Sequence, residues 1–192
     1  DVAPSRGLGD VYKRQIIKGV DRMLSLEKAS KLLEIVKSEG IKLDNIKLIK
    51  DDKFSYSTNG MITIQNCNFN INSKWYKFMI KYLKKEYNLD SNVYMFYDFL
   101  ETFSFLHEVG HATQGLKNNE KYDDEYFLYK NTIYKSYEEA YKTYRNLTLE
   151  KQADKFAVSF IKNHKFEIWA IMNDISVKEA KKESQFWETD LY

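Results

Sequence analysis

The chain has 192 residues, 43% of them hydrophobic and 16% aromatic, with 30 basic against 28 acidic side chains and a net charge of +2. This length fits one domain with a real core rich in Phe and Tyr. The near-balance of charge gives no whole-molecule attraction to nucleic acid or to an anionic membrane, so neither is expected as a partner. The single cysteine, Cys67, excludes an intrachain disulfide and fits a reducing, cytoplasmic setting. No apolar run approaches a membrane span, and no segment reads as a signal peptide.

Asp10-Val11-Tyr12-Lys13-Arg14-Gln15 reads as a translated sequencing-library adapter. Residues 1–15, with Pro4, are therefore expected to be non-native, and residues 16–192 to form the domain. A first helix is predicted over 25–39. Ser25 caps it, Ala29, Leu32, Leu33 and Val36 form its stripe, and Gly40 ends it. Ile46–Ile49 fits a strand. Phe54 and Tyr56 alternate with polar residues, Asn59-Gly60 suits a two-residue turn, and Ile62 and Ile64 alternate on the return, which predicts a hairpin. A second helix is expected from about Ser73 to Tyr87. Trp75, Phe78, Met79, Tyr82 and Leu83 line its inner face, and Lys81, Lys84 and Lys85 lie on a solvated one.

A third helix, from about Tyr97 to Gln114, has Phe99, Phe103, Leu106 and Gly110 at helical spacing, with Gly115 placed to end it. Residues 116–125, containing Asn118, Asn119, Asp123 and Asp124, read as a loop. The stretch from Tyr126 to Tyr144 is expected to be partly helical. A strong helix follows over Thr148–Asn163, with Leu149, Ala153, Phe156, Ala157, Phe160 and Ile161 as its core face. Ser176 and Glu179 form a capping box for a last helix to about Trp187. The fold class that follows is α+β, mainly helical, with a small antiparallel sheet or hairpin ahead of the third helix.

That third helix contains His107-Glu108-Val109-Gly110-His111, an H-E-x-x-H string that takes two of the three histidines in the chain. Histidines four apart lie on one helix face, so both imidazoles can reach one metal ion, and Glu108 can reach water at that metal. A catalytic zinc site needs a third protein ligand. A histidine six residues after the second is excluded, because Lys117 stands there. His164 lies just past a helix end with no motif around it, and Cys67 sits in a strand-like stretch far from the motif. Glu150 and Asp154 lie at i and i+4 on the 148–163 helix, where Glu150 can be the third ligand. Asp154 can accept the N–H of a ligating histidine. Removing an orienting Asp154 would weaken metal affinity with little loss of helix. The alternative is a solvated acidic face that favours the helix dipole. The H-E-x-x-H upstream favours the ligand reading.

Phe103-Ser104-Phe105-Leu106-His107-Glu108-Val109-Gly110-His111 resembles the F-T-L-A-H-E-x-G-H segment of ImmA/IrrE-type metallopeptidases. Glu150-x-x-Ala153-Asp154-x-Phe156-Ala157 is similar to that family's E-x-x-A-N/D-x-F-A segment. The resemblance covers about 60 residues well. It implies a zincin-like fold of the gluzincin group, with His107, His111 and Glu150 binding Zn2+ and Glu108 as general base. The implied activity is hydrolysis of a peptide bond in a protein or peptide substrate, by Glu-assisted attack of zinc-activated water. Tyr141, Tyr144, Arg145 and His164 are candidates for a second oxyanion donor. The strand at Met61–Gln65 is expected at a sheet edge, where an extended substrate can pair with it. A zinc-stabilised regulatory or interaction module of a phage or mobile element, without peptidase activity, is the alternative.

Overall fold

The structure is a computed structural model that describes residues 24–43, 46–57, 60–65, 72–89, 99–114 and 120–189. The expectations for residues 1–15, Asn59, Cys67, Tyr97 and residues 115–119 lie outside the described residues. Helix α1 spans Leu26–Ser38, and Ser25 accepts a hydrogen bond from Lys28 N as its cap. Its stripe of Ala29, Leu32, Leu33 and Val36 is buried, and Gly40 ends the turn at φ +77°. Three short strands follow: β1 Lys47–Asp51, β2 Ser55–Ser57 and β3 Met61–Gln65. Helix α2 spans Lys74–Tyr87 behind a Ser73 cap, and α3 spans Phe99–Gln114.

The β2–β3 pair is antiparallel, with Tyr56 opposite Ile62. β1, however, runs parallel to β3, with Lys47 opposite Met61 and Asp51 opposite Gln65. The sheet is therefore mixed, in the order β1-β3-β2, and the expectation of a purely antiparallel sheet is corrected. β3 is the central strand rather than an edge strand; β1 pairs along Met61–Gln65 on one side and β2 along Met61–Thr63 on the other. Ile62, Thr63 and Ile64 are all buried, as a strand covered on both faces requires.

Two further departures share one physical cause. Residues 120–125 are not loop, because α4 spans Glu120–Asn131. This helix has no apolar stripe; Phe127 and Leu128 are 67% and 65% exposed, so periodicity gives no signal. The opposite case is α7, Lys165–Asn173, which the sequence did not announce. It follows α6, Thr148–Asn163, directly, and Ile168, Trp169, Ala170 and Met172 are buried, so it too shows little amphipathic contrast. Helix α5, Tyr137–Arg145, precedes α6. Helix α8, Val177–Thr189, starts at the expected capping box, where Ser176 N donates to Glu179 Oε2 at 2.9 Å.

The core is organised around α3, where Phe103, Phe105, Leu106 and Val109 are essentially fully buried. Its main partner is α6. A Cβ on Gly110 would lie 2.9 Å from Ala153 Cα and 3.1 Å from Ala153 O, so only glycine allows this approach. The crossing fixes the distance between the histidines of α3 and the acids of α6. Gly110→Ala would push against backbone, which cannot rotate away as a side chain can. It is expected to lower stability by about 1–3 kcal/mol in urea unfolding with chelator present.

Candidate metal centre

His107 and His111 sit one turn apart on α3, with their Nε2 atoms 3.1 Å apart. Across the helix crossing, Glu150 in the first turn of α6 places Oε2 3.2 Å from His107 Nε2 and Oε1 3.5 Å from His111 Nε2. All three residues are buried, and the group could hold a metal ion. A tetrahedral centre with bonds of about 2.0–2.2 Å sets neighbouring donor atoms about 3.3–3.6 Å apart. The nearest spacings, 3.1 Å between the imidazoles and 3.2 Å and 3.5 Å from them to one or the other carboxylate oxygen, are of that order.

Burial alone would raise the Glu150 carboxyl. Hydrogen bonds to His107 and His111, and their charge, outweigh it and hold the carboxyl well below the usual carboxylate range. A buried carboxylate at this position favours a facing positive charge.

Each histidine has its own outer support. His107 Nδ1 lies 3.0 Å from Asp154 Oδ1. In the neutral tautomer that bond carries the proton on Nδ1, and the Nε2 lone pair faces Glu150 and His111. Asp154 is fully buried and held from two further directions. Tyr82 donates to Oδ2 at 3.2 Å; burial pushes its phenol up, so the hydroxyl keeps its proton. Arg145 donates from Nε to Oδ2 at 3.1 Å and from Nη2 to Oδ1 in a close contact, with Nη1 3.6 Å from Glu150 Oε2. On the other histidine, His111 Nδ1 lies 3.2 Å from Gln114 Oε1, and Gln114 Nε2 donates to Leu149 O at 3.2 Å. Gln114 thereby ties His111 to the residue preceding Glu150.

The start of α6 is pinned from outside its own sequence. Leu147 supplies no side-chain cap. Glu125 of α4 instead accepts from Thr148 N and Thr148 Oγ1, both at 2.6 Å. The orphan donors at the helix start are met by a distant carboxylate, which fixes the turn that carries Glu150.

Glu108 is half-buried and lines a cleft of about 250 Å³ beside His107, with Phe54, Trp75, Phe103, Tyr141 and Tyr144 among its walls. Of the oxyanion candidates, Tyr141 and Tyr144 remain at the cleft. Arg145 lines it too, but its guanidinium is directed at Asp154 and Glu150. His164 is elsewhere, with Nε2 2.8 Å from Glu39 Oε1 and its ring 4.4 Å from that of Phe160. The structure thus joins His107, His111, Glu150 and Asp154, sets Glu108 beside them and excludes His164.

Sequence reasoning missed Gln114 and Tyr82, and did not foresee the pairing of Arg145 with Asp154. Gln114 lies three residues after His111, a spacing that puts it on the same face. Tyr82 had no local signal, since it reaches Asp154 from another helix. Gln114→Ala is expected to weaken metal affinity by roughly 10-fold or more, read by competition with a chromophoric chelator. Unchanged affinity would show that Gln114 does not support the centre through either contact.

No family model matches the chain, and no curated protein or solved structure matches it either. What the centre can do follows from its own residues.

Proposed function

We propose that the chain is a zinc-dependent peptidase with a gluzincin-type centre, acting on a protein or peptide substrate. The observation that carries this reading is the convergence of His107, His111 and Glu150 beside Glu108 at an aromatic cleft. The residues fit zinc by their chemistry: two imidazole nitrogens and one carboxylate, buried and backed by hydrogen-bonded partners. The resemblance of the segments around His107 and Glu150 to those of ImmA/IrrE-type metallopeptidases is in line with this reading, which implies a zincin-like fold.

A zinc ion held by these three side chains would supply Lewis acidity, polarising a carbonyl and acidifying water at the centre. Glu108 takes a proton from the attacking water onto its carboxylate and returns it to the leaving nitrogen as the C–N bond breaks. Asp154 and Gln114 hold the two imidazoles in place. Phe54, Trp75 and Phe103 line the cleft beside these groups, and apolar walls there strengthen charge interactions. A carboxylate beside the metal ligands and open to a cleft is of no use to a purely structural centre. That favours an enzyme over a zinc-stabilised regulatory module.

The test is hydrolysis of a diverse peptide mixture by the stripped and zinc-reconstituted full chain, followed by mass spectrometry. Cleavage is expected with zinc and should vanish with chelator. Stoichiometric zinc with no cleavage of any peptide would support the regulatory module instead.

A further inference from the structure

A second concavity lies on the other side of α2. It is a groove of about 760 Å³ between α2 and the start of α5, floored by Tyr76, Phe78, Ile80 and Tyr137. Along α2 its rim carries Lys74, Lys77 and Lys81, all exposed, against one acid, Glu138. The spacing of three and then four residues sets the three ammonium groups in a row on one helix face. None of the three forms an ion pair among the described residues. The chain as a whole is nearly neutral, so this row is a local concentration of positive charge.

The groove shares a wall with the cleft. Phe78, in the groove, packs edge-on against Tyr141 of the cleft at 5.2 Å, and Tyr141 accepts a hydrogen bond from cleft-lining Trp75 Nε1. An extended chain leaving the cleft over this wall meets an apolar floor and then a row of lysines.

We infer that this groove is a docking site for an acidic peptide segment with an apolar anchor, and that it selects substrates bearing such a segment near the cleaved bond. The apolar floor takes the anchor, and the lysines face carboxylates on the segment. The inference rests on the peptidase reading for its second half; binding itself does not. A peptide is favoured over a nucleic acid because the ring faces that stacking would need are partly taken. Phe78 stacks on Tyr82 at 5.7 Å, and Tyr137 stacks on Tyr141 at 5.6 Å. Glu138 on the rim also opposes a phosphate backbone.

The experiment uses the zinc-loaded full chain and fluorescein-labelled 12-residue peptides. One is rich in Asp and Glu with Phe and Leu anchors, one has Lys for every acid, and one keeps the acids but has Ser for the anchors. Anisotropy should show binding of the first, weakened at least about tenfold by either change of peptide and by raised salt. The triple variant Lys74→Glu, Lys77→Glu, Lys81→Glu should lose at least about tenfold in affinity for the acidic peptide. Equal binding of all three peptides would overturn the proposal, as would no loss in the variant. So would a single-stranded oligonucleotide of equal length that binds more tightly than the acidic peptide. In turnover, the variant should raise KM for an acid-flanked substrate and leave a short neutral peptide unaffected. A fall in kcat on both substrates would contradict a docking role. Binding without any turnover would leave the docking site standing and count against the peptidase reading alone.

Discussion

Glu108→Gln is expected to bind zinc at wild-type stoichiometry while hydrolysing peptides about 10²-fold more slowly, or worse. The amide keeps the shape and volume of the carboxylate, so the half-buried position beside His107 is filled as before. It cannot accept the proton that attacking water must lose. The ligands are separate residues whose supports, Asp154 and Gln114, do not involve position 108. Metal content and rate should therefore part company. If both fell together, Glu108 would be a structural support of the centre rather than its base.

Asp154→Ala is expected to have the largest effect on the folded state. From sequence alone this change should weaken metal binding with little structural cost. The structure adds a buried guanidinium. Arg145 is 5% exposed and makes its shortest contacts with Asp154. Removing the carboxylate takes away the nearer of that cation's two acidic partners; complete loss of a partner costs about 3–5 kcal/mol, and Glu150 offsets part of it. The Nη1 atom already lies 3.6 Å from Glu150 Oε2, so a released Arg145 can close on the ligand carboxylate. Zinc affinity should then fall by roughly 10- to 100-fold, through lost support of His107 and through competition for Glu150. Urea unfolding in chelator reads the first effect, and chelator competition reads the second. Arg145→Met in the Asp154→Ala background should recover part of the stability, because it removes the stranded charge. No recovery would mean that Tyr82 and His107, rather than Arg145, depend on Asp154.

The site was legible in the sequence where its chemistry is local. His107, Glu108 and His111 share one helical turn, and Glu150 and Asp154 share the next helix that packs on it. Residue type and spacing determine such pairs. The capped helices α1, α2 and α8 were readable for the same reason, since Ser25, Ser73 and Ser176 act within three residues of their own position. What escaped notice depends on contacts distant in sequence. The parallel pairing of β1 with β3 follows from packing, since Lys47–Asp51 carries nothing that distinguishes the two directions. Glu125 caps a helix 23 residues away, and Tyr82 reaches an acid 72 residues away. Helices α4 and α7 lack the one-sided apolar stripe that periodicity detects, one being too exposed and the other too buried.

The most direct measurement of the central claim is the metal content of the full chain, stripped and then reconstituted with zinc, in wild type beside Glu150→Ala. Two imidazoles and one buried carboxylate should retain about one zinc per chain through gel filtration, and the variant should retain only a small fraction of that. Circular dichroism on the same samples checks that the variant is folded. Full retention of zinc by folded Glu150→Ala would contradict the assignment, because the two histidines alone would then suffice or the metal would sit elsewhere.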